Sequence, residues 1–155
     1  MKHITLNVDD LGLSPAVNQA VCRLAALGRV HAASFMSLGR IAPDELAALR
    51  QAGIDIGLHF DLTGLARQGT LGQVMARSWL RAWPAAALQE TIARQMDAFE
   101  DQIGQPPAFI DGHQHVHQFP QVRERLLAEA RRRYGPPVAL RSTDRKSTRL
   151  NSSHW

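Results

Sequence analysis

The chain has 155 residues, 45% of them apolar, and a formal net charge of +4. That length and composition suit one domain with a real core and argue against disorder. A single cysteine, Cys22, excludes a disulfide framework and a thiolate metal cluster, and no apolar run is long enough to span a membrane.

Met1-Lys2-His3-Ile4 runs straight into a short strand, His3 to Val8, with no signal peptide ahead of it, so a cytoplasmic protein is expected. Ser14-Pro15 opens a helix, Ser as cap and Pro at the first helical position, with Val17, Ala20, Val21, Leu24 and Ala25 at helical spacing before Gly28. Cys22 falls on its apolar face and reads as a buried structural thiol. Val30 to Leu38 reads as a second strand. Pro43-Asp44-Glu45 starts a second helix that ends before Gly53, and Ile54 to Phe60 reads as a third strand. Gly64, Gly69 and Gly72 break the stretch that follows. Leu71 to Trp83 and Pro84 to Ile103 read as two helices parted by Pro84, the second with the stripe Leu88, Ile92, Met96, Phe99 and Ile103. Ala108 to Gly112 reads as a fourth strand, Phe119-Pro120 opens a helix to about Gly135, and Val138 to Arg141 begins a fifth strand. Met36 and Met96 are expected in the core. Arg131-Arg132-Arg133 is expected to be a solvated helix end, where cations suit the dipole.

Residues 144–155 have neither a hydrophobic period nor turn logic. They resemble the conceptual translation of a sequencing-library adapter read in frame, and a non-native tail is expected there. Without Asp144, Arg145, Lys146 and Arg149 the net charge falls from +4 to +2. The basic balance is then no argument for a nucleic-acid partner.

Strands alternating with helices imply a parallel α/β sheet with right-handed crossovers. Three segments put chemistry where strands end: Asn7-Val8-Asp9-Asp10-Leu11-Gly12, Gly57-Leu58-His59-Phe60-Asp61-Leu62-Thr63 and Asp111-Gly112-His113-Gln114-His115-Val116-His117. Four of the seven histidines lie in them. In parallel α/β folds sites form at that end of the sheet, and a divalent metal site is the economical reading. Two carboxylates as close as Asp9 and Asp10 repel each other, and a cation removes the conflict; an acidic turn capping the next helix is the plainer alternative. On an extended chain His113, His115 and His117 share a face and line one wall, and Asp111 suits an imidazole's outer partner. Negative charge after the first strand argues against a phosphate site. His3 and His31 lie near strand starts, away from the proposed site.

With those motifs in hand, the chain resembles the YdjC-like carbohydrate deacetylases over residues 3 to about 142, on NVDDLGLS (7–14), GLHFDLT (57–63) and DGHQHVHQFP (111–120). Leu11 stands where the family usually has Phe. The resemblance implies a distorted (β/α) barrel related to polysaccharide deacetylases, of which residues 1–143 form an incomplete N-terminal part of one domain. It implies Asp10, His59 and His113 as metal ligands, Asp9 as general base, and His115 and His117 as wall residues that contact substrate or act as acid. The expected reaction is removal of the N-acetyl group from an acetylated amino sugar or chitooligosaccharide. Mg²⁺ is the cofactor the resemblance implies, while two imidazoles favour Zn²⁺. The expected partner is a small acetylated sugar, with no nucleic acid or membrane; a homodimer is left open. Family members are longer, so this polypeptide as written is expected to be poorly soluble and inactive. The rival readings are a non-haem iron oxygenase, whose two-histidine, one-carboxylate set usually sits on a β-sandwich, and a metal- or carbohydrate-binding relative without turnover, which has no need of a free base such as Asp9.

Overall fold

The computed structural model describes residues 4–135 and 139–142. The order is β1 (Asn7–Leu11), α1 (Pro15–Ala26), β2 (Ala32–Phe35), α2 (Pro43–Gln51), β3 (Asp55–Phe60), α3 (Leu71–Trp79), α4 (Ala85–Ile103), β4 (Ile110–Gly112), a 3₁₀ segment (His113–Gln118) and α5 (Pro120–Tyr134). The strands are parallel in the order β1-β2-β3-β4. This is the expected α/β class, an open sheet that forms an incomplete barrel.

The local rules act where the sequence places them. Ser14 Oγ accepts from the Val17 amide, with Pro15 at the first turn of α1. Glu45 accepts from the Ala42 amide at the start of α2. Thr70 and Gln73 cap α3 reciprocally. The core joins the sheet to α4: Phe35, Leu58, Phe60, Leu88, Ile92, Met96 and Phe99 are buried, with the Phe35 and Phe99 rings 6.0 Å apart. Met36 is buried as well, as expected of both methionines.

Several boundaries move. The first strand was expected over 3–8 but spans Asn7–Leu11. The Leu6 amide bonds His31 Nδ1 instead of a ladder partner, and the strand runs on through the acidic pair. His3 lies outside the described residues. β2 is shorter than 30–38. The helix expected over 71–83 stops at Trp79: Arg81 turns left-handed (φ 51°) and the Ala82 amide caps the Arg77 carbonyl. Cys22 is half-buried, its thiol aimed at the Glu45 carbonyl. The fifth strand reduces to one parallel bridge, Ile110 to Leu140, flanked by bonds from the Ile110 amide to the Ala139 carbonyl and from the Arg141 amide to the Ile110 carbonyl. Val138 and the expected tail, 144–155, lie outside the described residues. Among the described residues no helix is long and apolar enough to cross a membrane.

In the arginine run at the end of α5, Arg131 and Arg132 are exposed, as expected of a solvated helix end, and Arg133 is the exception. Arg133 is largely buried and pairs with Asp97 (2.5 Å) on α4 and Glu129 (2.6 Å) on its own helix. Arg132 donates to Glu129 as well, and Gln89 Nε2 completes the carboxylate's shell at 2.8 Å. Burial makes this cluster a docking contact between α4 and α5.

The Arg132 hydrogen bonds, joined by Arg133, hold the Glu129 carboxyl down at about 2 against the opposing effect of burial. A carboxyl whose folded value lies below its unfolded one stabilises the fold above the unfolded value, near 4.3. That stabilisation fades as pH falls toward 2. Glu129→Gln should therefore destabilise the protein at pH 7 by on the order of 1–3 kcal/mol, the scale of lost charge-assisted bonds. The gap from the parent should shrink between pH 4.5 and 2 in thermal melts followed by circular dichroism.

Candidate metal centre

The site begins with an irregularity in β1. Val8 pairs with Ala33 and Leu11 with Phe35, so Asp9 and Asp10 together oppose the single residue Ser34. This is a β-bulge. Asp10 takes a left-handed conformation (φ 67°), which Asp tolerates better than most side chains. Ordinary alternation would send neighbouring side chains to opposite faces; the extra residue lets both carboxylates meet the same cluster at the strand's C-terminal end. Beyond it the chain is knotted in place. Asn18 accepts from the Gly12 amide and donates to Glu45 and the Arg40 carbonyl. A Cβ on Gly39 would sit 1.9 Å from the Gly12 carbonyl oxygen, so only glycine permits that approach.

The next two strands supply a pair. His59 and Asp111 are register partners across β3 and β4. Both are buried, and His59 Nδ1 lies 2.7 Å from Asp111 Oδ1. Ser34 Oγ donates to Asp111 Oδ2 at 2.7 Å. Burial works to raise the Asp111 carboxyl, but His59, Ser34 and Arg141 outweigh it and hold the group below its usual range. An ionised Asp111 accepts the Nδ1 proton of His59 and leaves Nε2 as the outward atom. Burial works to lower the His59 imidazole, but the Asp111 hydrogen bond and the surrounding carboxylates outweigh it and raise the group.

That outward nitrogen points at Asp10. His59 Nε2 is 3.3 Å from Asp10 Oδ1, and His113 Nδ1 is 3.0 Å from the same oxygen. The two imidazoles meet edge to face, ring centres 5.7 Å apart. Donor atoms of Asp10, His59 and His113 all fall within 4.8 Å of one another. A neutral His59 would set an Nε2 lone pair against a carboxylate lone pair, an arrangement that needs a positive charge in the gap. Two ligands held at about 2.1 Å and at right angles stand about 3 Å apart. The trio fits a divalent cation in donor type and spacing.

A second group, Asp9, His59 and Asp111, is equally compact. There the positive charge is already supplied. Arg141 Nη1 donates to Asp9 Oδ1 at 2.8 Å and to Asp111 Oδ2 at 3.0 Å. Asn7 Nδ2 donates to the same Asp9 oxygen at 2.7 Å and to Ser34 Oγ at 2.8 Å. Asp9 is thus held beside the first trio by a guanidinium and an amide.

The sequence-derived site residues therefore part company. Asp10, His59 and His113 come together, with Asp9 beside them and Asp111 behind His59. The histidine wall does not form. The chain leaves the extended conformation at Gly112, and Gln114 and His115 turn left-handed in the 3₁₀ segment. His115 is exposed, while His117 is fully buried with Nε2 2.9 Å from the Arg141 carbonyl. Asp61 is buried too, but it accepts from the Thr63, Gly64 and Ala66 amides and so closes its own loop. His31 is exposed just ahead of β2, away from the site. Sequence reading missed Asn7, Ser34 and Arg141. Asn7 stands two residues before Asp9, and Arg141 at the expected end of the fifth strand; neither is a carboxylate or an imidazole, the residue types that marked the others.

The parallel sheet and its packed helices are shared with two solved structures. A proposed cellobiose-phosphate cleavage protein of Enterococcus faecalis shares the fold at TM-score 0.69 and 20% identity, covering 91% of this chain and 59% of that one. A peptidoglycan deacetylase of Bacillus subtilis does so at 0.55 and 15%, covering 92% and 59%. The YdjC-like protein family matches residues 3–154, and the chain belongs to that family. Chitooligosaccharide deacetylases of Enterobacter sp. and Serratia marcescens are each 32% identical, over 90% and 96% of this chain. A mouse carbohydrate deacetylase is 30% identical over 85%. The chain spans 59%, 63% and 48% of these three relatives' own lengths.

Zn²⁺ titration by calorimetry checks the geometry. Asp10→Asn and His113→Ala should each weaken binding by at least about 100-fold. Asp111→Asn should weaken it by about 10- to 100-fold, the scale for an outer partner of a ligating histidine. His31→Ala should leave it within about twofold, as expected for an exposed side chain off the site.

Proposed function

We propose that the protein is a divalent-metal-dependent hydrolase that removes the N-acetyl group from an acetylated amino sugar, chitooligosaccharides being the class its relatives' names suggest. The observation that carries this reading is the division of labour within one bulge: Asp10 converges with two imidazoles, and Asp9 is held next to them by other partners. Metal storage has no use for the second carboxylate; hydrolysis does.

Asp10, His59 and His113 would hold the cation. When bound, such an ion acidifies water toward neutrality and polarises the acyl oxygen. Asp9 Oδ1 is engaged by Asn7 and Arg141, which leaves Oδ2 as the basic atom. As water attacks the acetyl carbon, Asp9 takes its proton while the new C–O bond forms. The C–N bond then breaks, and the proton passes from Asp9 to the departing amine, so acetate and a free amino sugar leave. His115, exposed on the segment that carries His113, is the imidazole placed to contact substrate. The donor set suits Zn²⁺, and the family resemblance favours Mg²⁺. A non-haem iron oxygenase would share the two-histidine, one-carboxylate set, but the parallel sheet and the deacetylase relatives speak against it.

The test is acetate release from N-acetylated chitooligosaccharides by the full-length protein, before and after chelation. Activity should vanish with chelator and return with Mg²⁺ or Zn²⁺. Asp9→Asn should keep Zn²⁺ affinity and lose about 100-fold or more in kcat, the scale for a general base. An Asp9→Asn variant with parent turnover, or a chelator-treated enzyme at full rate, would contradict the assignment.

A further inference from the structure

His117 is the one histidine of the third motif that the mechanism above does not use. Its ring is fully buried, and each nitrogen has a fixed setting. Nε2 lies 2.9 Å from the Arg141 carbonyl oxygen, a group that only accepts, so Nε2 carries the proton and donates. Nδ1 is buried and has no hydrogen-bond partner. It lies against Gly112, where a Cβ would come within 2.8 Å of it and within 3.0 Å of the Phe60 carbonyl oxygen. Such a ring has no outlet to a substrate. Burial also pushes its imidazole below the usual range, which keeps it neutral.

The ring reaches Arg141, the residue that spans Asp9 and Asp111. The Arg141 amide bonds the Ile110 carbonyl at 2.9 Å, and its own carbonyl receives His117. Both main-chain polar groups of Arg141 are thereby pinned, one by β4 and one by the 3₁₀ segment. The need for this is geometric. One nitrogen, Nη1, serves two carboxylates at 2.8 and 3.0 Å. A main-chain shift of about 1 Å would break at least one contact, and misplacement on that scale costs about 100-fold in rate when it reaches reacting groups.

We propose that His117 is a positioning residue that anchors the Leu140–Arg141 segment, so that one guanidinium holds both the proposed base Asp9 and Asp111, the outer partner of His59. The role rests on the deacetylase reading for its kinetic consequence but not for its structural one. Gly112 belongs to the same device, as the residue whose missing Cβ lets the ring come this close to β4.

Three variants of the full-length protein separate a strut from a proton donor. His117→Gln puts an amide N–H about where Nε2–H stands but cannot act as an acid near neutral pH. His117→Leu removes the donor, and Gly112→Ala pushes the ring aside. Hydrogen exchange at the Arg141 amide, read by NMR on the metal-free protein, should stay slow in His117→Gln. It should speed up by at least about 10-fold in His117→Leu and in Gly112→Ala, the latter standing in if the leucine variant fails to fold. With an N-acetylated chitooligosaccharide, kcat should fall about 10- to 100-fold in His117→Leu, with KM and Zn²⁺ affinity within about threefold. His117→Gln should restore kcat to within about threefold and keep the parent pH profile. Unchanged Arg141 exchange in both disruptive variants overturns the proposal. So does a His117→Gln enzyme as slow as His117→Leu that has lost the basic limb of its pH profile, the mark of a proton donor. If the parent hydrolyses no N-acetylated sugar, the deacetylase reading fails, and the exchange measurement still decides the role of His117.

Discussion

Asp9 and Asp10 stand opposite one residue of β2 because β1 carries an extra residue there, and the rest of the site is arranged around that fact. Two ionised carboxylates in sequence cost electrostatic energy in proportion to how close they come. The bulge brings them close, and the surroundings then treat them differently. Asp10 receives two imidazoles. Asp9 receives an amide and a guanidinium. Without the extra residue, neighbouring carboxylates would leave the strand on opposite faces, and only one of them would face the imidazoles.

The two carboxylates are coupled through a closed ring of polar contacts. Asp9 leads to Asn7, Asn7 to Ser34, Ser34 to Asp111, and Arg141 joins Asp111 back to Asp9. Asp111 in turn fixes the His59 ring. Each of the four strands contributes to this ring or to the residues it holds, and Arg141 enters from the strand position beyond β4. Such a network is expensive to break at one point. It accounts for a buried serine in the middle of β2, a strand that otherwise carries only Ala and Phe. The helix-side ion cluster of Glu129, Arg133 and Asp97 does similar work for the fold, fastening α5 to α4.

Much of this was legible in the sequence. The alternation of strands and helices gave a parallel sheet, and the ends of the first, third and fourth strands gave Asp9, Asp10, His59 and the Asp111-to-His117 run. What stayed hidden depended on irregular backbone. Period-two reasoning ended the first strand at Val8 because it has no place for a bulge. The same reasoning aligned His113, His115 and His117, although the chain turns into a 3₁₀ segment after Gly112 and buries only the last of them. Asn7, Ser34 and Arg141 carry no metal-type chemistry, so a search for ligands passed over them. Their importance lies in saturating the lone pairs of carboxylates, which a sequence shows only once the register between strands is known. Arg133 was read as solvated because its neighbours are, and its partners Asp97 and Glu129 are apparent only when α4 and α5 pack.

The proposed chemistry requires that Asp10, and not Asp9, share a cation with the imidazoles. Crystals of the full-length protein soaked with Zn²⁺ and measured at the zinc absorption edge would answer this directly. One anomalous peak is expected within bonding distance of Asp10, His59 Nε2 and His113, with Asp9 still on Arg141. A peak bonded to Asp9 and Asp111, with Arg141 displaced and Asp10 free, would contradict it.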